Sequence, residues 1–173
     1  TNNENIFLMR MDATGGTIWC KSYGGNLTEH AAAFPHTADG GFIIAGQTDT
    51  YAAQNIDAYI IKTNSIGDTL WTAVLGCMYI EYANAITELP AGGYLVAGVI
   101  KKGFQFDNDI LLTRINILGQ PQWSVSFGNN SSDWPADIVV LADGSCVIAG
   151  ISHDPFTNSD EFFLTRRDTQ GGD

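Results

Sequence analysis

The chain has 173 residues, of which 45% are hydrophobic and only 16% are charged. This composition excludes a disordered chain and suffices for one domain with a sizeable core. The net charge of −11 at pH 7 argues against nucleic acid as a partner, and no apolar run reaches the roughly 20 residues that insertion into a membrane as a helix requires.

Short segments rich in β-branched and aromatic residues follow one another along the whole chain. Glycine, proline, asparagine and aspartate separate them, as at Pro90–Gly93 between two apolar runs. The connections are too short for helices, and no stretch keeps a 3.6-residue period over three turns. We therefore predict strands at 5–12, 17–23, 30–38, 42–48, 57–64, 69–75, 82–90, 94–100, 109–116, 121–127, 134–142, 146–151 and 161–168.

The predicted strands recur with a strict period. Trp19, Trp71 and Trp123 are separated by two equal intervals of 52 residues. The same interval relates glycine, acidic and basic positions, namely Gly46, Gly98 and Gly150, then Glu29, Glu81 and Asp133, then Arg10, Lys62, Arg114 and Arg166. So many coincidences at one interval indicate an internal repeat. Its units run over 5–56, 57–108, 109–160 and, in part, 161–173.

Each complete unit carries four strands that are apolar on both faces. Such a sheet is not stable alone and must stack against a similar sheet on each side. Radial stacking gives a β-propeller, whose blades commonly take about 40–50 residues. We therefore predict an all-β fold, a partial β-propeller of four-stranded antiparallel blades with about three and a third repeats in a single domain, 1–173. Its structural blades are expected at 1–24 (partial), 29–76, 81–128 and 133–173 (partial). A single large sandwich is the alternative, but it does not explain the strict period.

The order of strands within a blade follows from the position of the turns. We expect the strands at 30–38, 82–90 and 134–142 to lie nearest the axis and the tryptophan strands to lie outermost. The glycines of the second strand, Gly46, Gly98 and Gly150, then fit tight packing near the axis, and Trp19, Trp71 and Trp123 fit packing between blades. Because propellers typically need at least four blades, the remaining blades are expected from a longer parent chain or from a second copy.

Three segments resemble the propeller repeats of many secreted bacterial and archaeal proteins: Trp19–Gly25, Asp39–Thr48 and Asp57–Trp71. The resemblance implies an extracellular or cell-surface location. The spacing from Gly67 to Trp71 is also similar to the end of the tryptophan docking motif of quinone-cofactor dehydrogenases. In the repeats Asn64 and Asn116 replace the aspartate of that motif, and the spacing is one residue shorter, so no cofactor is predicted.

The candidate site is a recurring pair of an acid and a ring at the entry to the innermost strand. Its members are Glu29 and His30, Glu81 and Tyr82, and Asp133 and Trp134. This entry should face one mouth of the central channel. Aromatic faces stack on sugars or organic cations, and carboxylates hydrogen-bond or balance charge, so the column predicts a ligand site. In the alternative interpretation, the carboxylates cap tight turns and brace adjacent blades.

The sequence contains no pattern typical of a metal site, a nucleophile elbow or a phosphate-binding loop, and no catalytic or metal-binding residue is predicted. The basic column at Arg10, Lys62, Arg114 and Arg166 is expected to be structural, with each charged head paired to a nearby carboxylate. The leading functional hypothesis is a non-enzymatic scaffold or binding module for a protein or glycan. The alternative is a carbohydrate-active propeller enzyme with its site at the channel mouth.

Overall fold

The computed structural model describes residues 4–52, 56–76, 79–102, 108–129 and 131–172. These residues form antiparallel strands and no helix, and so contain no helix capable of crossing a membrane. The strands are β1 (Ile6–Met11), β2 (Thr17–Tyr23), β3 (Glu29–Ala33), β4 (Phe42–Thr48), β5 (Asp57–Thr63), β6 (Thr69–Leu75), β7 (Ile80–Glu88), β8 (Tyr94–Lys101), β9 (Asn108–Ile115), β10 (Pro121–Phe127), β11 (Ser132–Val140), β12 (Cys146–Asp154) and β13 (Ser159–Arg167).

The strands form four separate antiparallel sheets. Sheet 1 is β1-β2, sheet 2 is β3-β4-β5-β6, sheet 3 is β7-β8-β9-β10 and sheet 4 is β11-β12-β13. Neighbours in each sheet are also neighbours in the chain, which is the meander order that the sequence predicts. The prediction of an all-β antiparallel fold is therefore confirmed, and none of the sheets in the described residues closes on itself.

Two predicted strand boundaries were wrong by more than two residues. Strand β3 ends at Ala33 instead of continuing to residue 38, and His36 makes only an isolated bridge to Phe42. Pro35 cannot donate a backbone hydrogen bond, which explains why the ladder stops there. Strand β12 continues to Asp154, because the following turn is tight and Asp154 Oδ1 accepts a hydrogen bond from the backbone N–H of Phe156 at 2.8 Å.

The sheets stack face to face in chain order. The core between sheets 1 and 2 contains Leu8 and Ile61, and that between sheets 2 and 3 contains Ile60 and Val96. A third core joins Leu112 of sheet 3 to Ile148 of sheet 4. Strand β5 is buried at every position, because its odd and even residues pack against different neighbours. The sequence of β5 does not alternate between apolar and polar residues, because neither face of its sheet is exposed to solvent there.

Each tryptophan of the repeat packs onto the sheet that follows its own. A Cβ added at Gly67 would meet the ring of Trp19, and one added at Gly119 would meet the ring of Trp71. The Trp71 indole Nε1 also donates a 3.0 Å hydrogen bond to the carbonyl oxygen of Ile117 in the next sheet. These glycines have φ near +80°, a backbone conformation that side chains disfavour, so their turn provides the close approach that a large ring needs.

The outer faces of the first and last sheets expose repeat positions that are buried elsewhere. Leu164 is 77% exposed, but Leu112, one repeat earlier, is fully buried. In sheet 1, Phe7 is 69% exposed, but Tyr59 at the same position of sheet 2 is buried. The same chemical pattern therefore meets a neighbouring sheet at the inner positions and solvent at the two ends.

Candidate functional site

The three rings predicted from the repeat lie around one concavity of about 300 Å³, which we call the ring pocket. His30 comes from β3, Tyr82 from β7 and Trp134 from β11, so three successive sheets each contribute one ring. Gln47 and Asn84 add amide groups to the lining. His30 and Trp134 are exposed and Tyr82 is half-buried, which leaves ring surface accessible from outside.

A bulge in the first strand of each sheet shapes this lining. The pairing register shifts after Ala31 in β3, after Ala83 in β7 and after Pro135 in β11. The extra residue in β7 is Asn84, whose side chain thereby reaches the ring pocket. The bulge thus adds a residue with an amide side chain close to Tyr82. A regular ladder without the bulge would lack this residue.

Gly46, Gly98 and Gly150 lie at one repeat position of the second strand, and we call them the glycine column. They make this bulge possible. A Cβ added at Gly46 would overlap the carbonyl oxygen of His30, and one added at Gly98 would overlap that of Tyr82. Gly150 approaches the carbonyl oxygen of Trp134 in the same way. The second strand must therefore lack a side chain opposite the residue that follows each ring, namely Ala31, Ala83 and Pro135. These three glycines are structural and lie at the edge of the candidate site.

The acids of the predicted pairs are buried, whereas the rings are at least partly exposed. Glu29, Glu81 and Asp133 are exposed by 5% or less. Glu29 Oε1 accepts a 2.8 Å hydrogen bond from Thr48 Oγ1, and its Oε2 accepts one of 2.9 Å from the backbone N–H of Gly25. Asp133 Oδ2 similarly accepts a 3.3 Å hydrogen bond from the backbone N–H of Asn129. The geometry at Glu29 and Asp133 matches the bracing role that the sequence left as an alternative.

Backbone contacts tie the same positions to the preceding sheet. The N–H of Glu29 donates to the carbonyl oxygen of Glu4 at 2.7 Å, and that of Glu81 donates to the carbonyl oxygen of Ile56 at 3.0 Å. Burial alone would raise the pKa of Glu29, but hydrogen bonds from Thr50, Gly25 and Thr48 outweigh burial and lower it. Glu29 is therefore held as a carboxylate that joins neighbouring segments.

The ring pocket is lined by rings, small residues and amides, and the carboxylate of Glu4 lies near His30 outside that lining. Burial, followed by the charge of Asp49, raises the pKa of Tyr82, which keeps its phenol protonated at neutral pH. The His30 Nε2 lies 3.8 Å from Glu4 Oε2, and both side chains are more than half exposed. Asn84 Oδ1 is buried and has no hydrogen-bond partner.

Sequence reasoning missed Gln47 and Asn84 as pocket residues. Neither position keeps its chemistry from one repeat to the next: the equivalents of Asn84 are Ala32 and Ala136. The available signal was the glycine column, because a conserved spacing of glycines within a strand indicates a bulge or a close backbone approach. Read in that way, the bulge residue after the one opposite each glycine, which is Asn84 in β7, would have been a candidate.

Two residues of the basic column, Lys62 and Arg166, form ion pairs with carboxylates and are therefore structural. Lys62 Nζ lies 2.8 Å from Asp39 Oδ2 and also donates to the carbonyl oxygen of Thr63 at 2.9 Å. Arg166 pairs with Asp143 at the equivalent position of sheet 4. The third equivalent position is Ala91, and the Nε of Arg114 is buried there without a hydrogen-bond partner. The predicted carboxylate pairing is thus confirmed for Lys62 and Arg166 and is wrong for Arg10 and Arg114, which form no ion pair with the described residues.

Other chemical groups do not add a second site. In the described ranges, no three His, Cys, Asp or Glu side chains gather in a way that could hold a metal ion. Cys20 is an exposed free thiol and Cys146 is a buried one. No family model matches the chain, and no curated protein matches it.

Proposed function

We propose that the chain is a non-enzymatic, sugar-binding section of a β-propeller in an extracytoplasmic protein. The observation that carries this proposal is the ring pocket. Three rings at one repeat position, His30, Tyr82 and Trp134, come from three successive sheets and line one concavity. The resemblance to propeller repeats of secreted proteins supports the location.

The propeller architecture is supported by the way the sheets stack. Each sheet uses the same repeat positions to contact the next, as Leu8, Ile60 and Leu112 do in the three cores. The first strands of sheets 2, 3 and 4 contribute to a shared concavity, as expected for strands nearest an axis. Such a repeated step, applied to further sheets, leads to a ring.

The chemistry of the lining favours a neutral sugar over an organic cation. A cation site needs a carboxylate close to the ring faces, and Glu29 and Asp133 are buried with hydrogen bonds of their own. The rings offer flat apolar faces, and the amide residues Gln47 and Asn84 belong to the lining. Flat faces with a few polar groups suit the apolar face and hydroxyls of a pyranose. The volume of about 300 Å³ fits one or two sugar rings.

The same lining favours binding over hydrolysis. Most glycoside hydrolases place two carboxyl groups on either side of the scissile bond, about 5–9.5 Å apart. In the part of the chain that the structure describes, the ring pocket is lined by rings, small residues and amides and includes no carboxylate. Hydrolysis would require carboxylates from outside that lining, so the binding function has the simpler support.

A glycan array followed by titration calorimetry tests the proposal. We expect saturable binding of at least one neutral glycan, and we expect Tyr82→Ala combined with Trp134→Ala to abolish it with little loss of stability, because both rings are partly exposed. Phe156→Ala, which removes an 88% exposed ring elsewhere, is the matched control and should bind normally. Unchanged glycan binding by the double variant, or no binding by the wild type, would refute the proposal. Release of a shorter glycan would favour the enzyme alternative.

A further inference from the structure

A second concavity lies between sheets 2 and 3 and shares no described lining residue with the ring pocket. We call it the inter-sheet cleft. Its volume of about 350 Å³ is within the range of small-molecule sites. Both sheets contribute to the lining, which includes the apolar residues Leu75, Ile100 and Leu111 and the polar residues Glu81, Thr113 and Ser124. The inter-sheet cleft therefore combines apolar surface with a few groups that form hydrogen bonds.

The equivalent place between sheets 1 and 2 is filled by side chains of the chain itself. Tyr23 of sheet 1 packs in one core with Tyr59 and Ile61 of sheet 2, and all three are exposed by 7% or less. The Tyr23 hydroxyl donates a 2.7 Å hydrogen bond to the carbonyl oxygen of Gly67. Two phenol rings thus occupy this position where the first two sheets meet.

Smaller side chains occupy these three repeat positions between sheets 2 and 3. The replacements one repeat later are Leu75 for Tyr23, Leu111 for Tyr59 and Thr113 for Ile61. Leu111 is only half-buried, although Tyr59 is 4% exposed. A smaller side chain leaves a cavity wherever the surrounding structure does not close around it. The inter-sheet cleft therefore lies where the preceding pair of sheets holds aromatic rings.

The hydroxyl groups of the lining correspond in position to a hydrogen bond that Tyr59 makes. In sheet 2 the phenol of Tyr59 is hydrogen-bonded to the side chain of Thr72. The residue equivalent to Thr72 is Ser124, whose Oγ lies 2.9 Å from Thr113 Oγ1. A hydroxyl has one donor and two acceptor positions, so this pair can still accept a hydrogen bond from a further hydroxyl. The polar end of the inter-sheet cleft thus suits an aromatic ring that carries a hydroxyl group.

We propose that the inter-sheet cleft binds a small neutral phenol. Its ring would lie beside Leu111, in the place that the ring of Tyr59 takes in sheet 2, and its hydroxyl would donate to Ser124. A cavity lined by aliphatic side chains can bind a small aromatic molecule, because the ring fills apolar space that water does not occupy well. Sheets 2 and 3 each have four strands and pack against a further sheet on their other face, so the inter-sheet cleft belongs to the interior of the repeat.

The test titrates the full chain with p-cresol, which corresponds to a tyrosine side chain, and with toluene, which lacks the hydroxyl. In ¹H–¹³C spectra, p-cresol should shift the methyl signals of Leu75 and Leu111 saturably. In Ser124→Ala, the ratio of the two dissociation constants should change about threefold or more in favour of toluene. Ser124 is exposed, so this variant keeps the fold. An unchanged ratio, or no saturable shift in the wild type, would overturn the proposal.

A variant with a filled inter-sheet cleft is the second test. Leu111→Tyr combined with Thr113→Ile gives sheet 3 the residues of sheet 2, so it should weaken p-cresol binding about tenfold or more and raise the melting temperature. Leu118→Tyr, at a 63% exposed turn position, is the matched control and should bind p-cresol normally. Tyr82→Ala combined with Trp134→Ala should also bind it normally, because both rings lie in the ring pocket. Unchanged binding by the filled variant, or loss of binding by the ring-pocket variant, would contradict the assignment of the phenol to this cleft.

Discussion

Replacing Ala91 by aspartate should stabilise the protein by supplying a partner that one repeat lacks. Lys62 and Arg166 each pair with an aspartate, Asp39 and Asp143, at the same repeat position. Position 91 carries alanine, so Arg114 lacks the aspartate that pairs with its equivalents Lys62 and Arg166. The backbone can accept the change, because Gly92 and Gly40, which follow positions 91 and 39, have φ of 88° and 83°.

The expected gain comes from a partly exposed ion pair alone, because in sheet 4 Asp143 accepts from Arg166 Nη2, and Arg166 Nε donates instead to Ser145, whose equivalent in sheet 3 is Gly93. Exposed pairs contribute about 0.2–1 kcal/mol, and a hydrogen bond to a charged group contributes about 1.5–3 kcal/mol. Position 91 is exposed, so we expect a value of about 1 kcal/mol, near the top of the first range. For a chain of this size that corresponds to a rise of about 2–4 °C in melting temperature.

The assay is urea denaturation at pH 7, followed by tryptophan fluorescence, on Ala91→Asp and on the uncharged isostere Ala91→Asn. Both variants are also measured with Arg114→Met, which keeps most of the side-chain length but removes the charge. The stabilisation by Ala91→Asp should exceed that by Ala91→Asn and should disappear with Arg114→Met. Equal stability of the aspartate and asparagine variants, or a gain that persists without Arg114, would refute this explanation of the basic column.

Two further predictions concern the same repeat positions. Asp39→Ala should lower the free energy of unfolding by about 2 kcal/mol at pH 7, because it leaves the buried ammonium of Lys62 without its carboxylate. The hydrogen bond from Lys62, followed by that from Thr37, holds the pKa of Asp39 well below its usual range. The stabilisation by this pair is therefore complete above about pH 4 and is lost as the pH falls toward the folded-state pKa of Asp39. A cost that stays constant in urea titrations from pH 7 to pH 2 would contradict the pairing. Gly98→Ala should destabilise the fold by about 1–3 kcal/mol, because the new methyl group would overlap the carbonyl oxygen of Tyr82. Gly172→Ala is the control and should change stability little, because a Cβ there meets only a flexible side chain. Similar effects of the two substitutions on the denaturation midpoint would argue against the bulge.

The strand pattern could be predicted because the repeat samples each position several times. One apolar run such as β5 is ambiguous alone, but three copies at one interval fix the strands and their order. Boundaries failed where a single residue decides, as at Pro35 after β3. The repeated glycines of the second strand were recognised from the sequence and attributed to tight packing near the axis. The structure gives a more specific cause, because a Cβ at each glycine would overlap the carbonyl oxygen of one ring residue.

The candidate site was predictable only in part. Its rings belong to a repeat position and were found from the sequence, but the burial of the neighbouring acids depends on hydrogen bonds such as those of Glu29 to Thr48 and Gly25. Asn84 could not be found by periodicity, because the repeat carries alanine at its equivalents. Whether the pocket binds a sugar remains a prediction that the geometry motivates.

One NMR titration tests the central claim that the ring pocket is the ligand site. A ¹H–¹⁵N spectrum resolves the indole N–H groups of the four tryptophans, and only Trp134 lines the ring pocket. Addition of the neutral sugar that binds best on the array should shift the Trp134 signal saturably and leave those of Trp19, Trp71 and Trp123 in place. A sugar that binds while the Trp134 signal stays unchanged, or that shifts the other three indoles instead, would contradict the account.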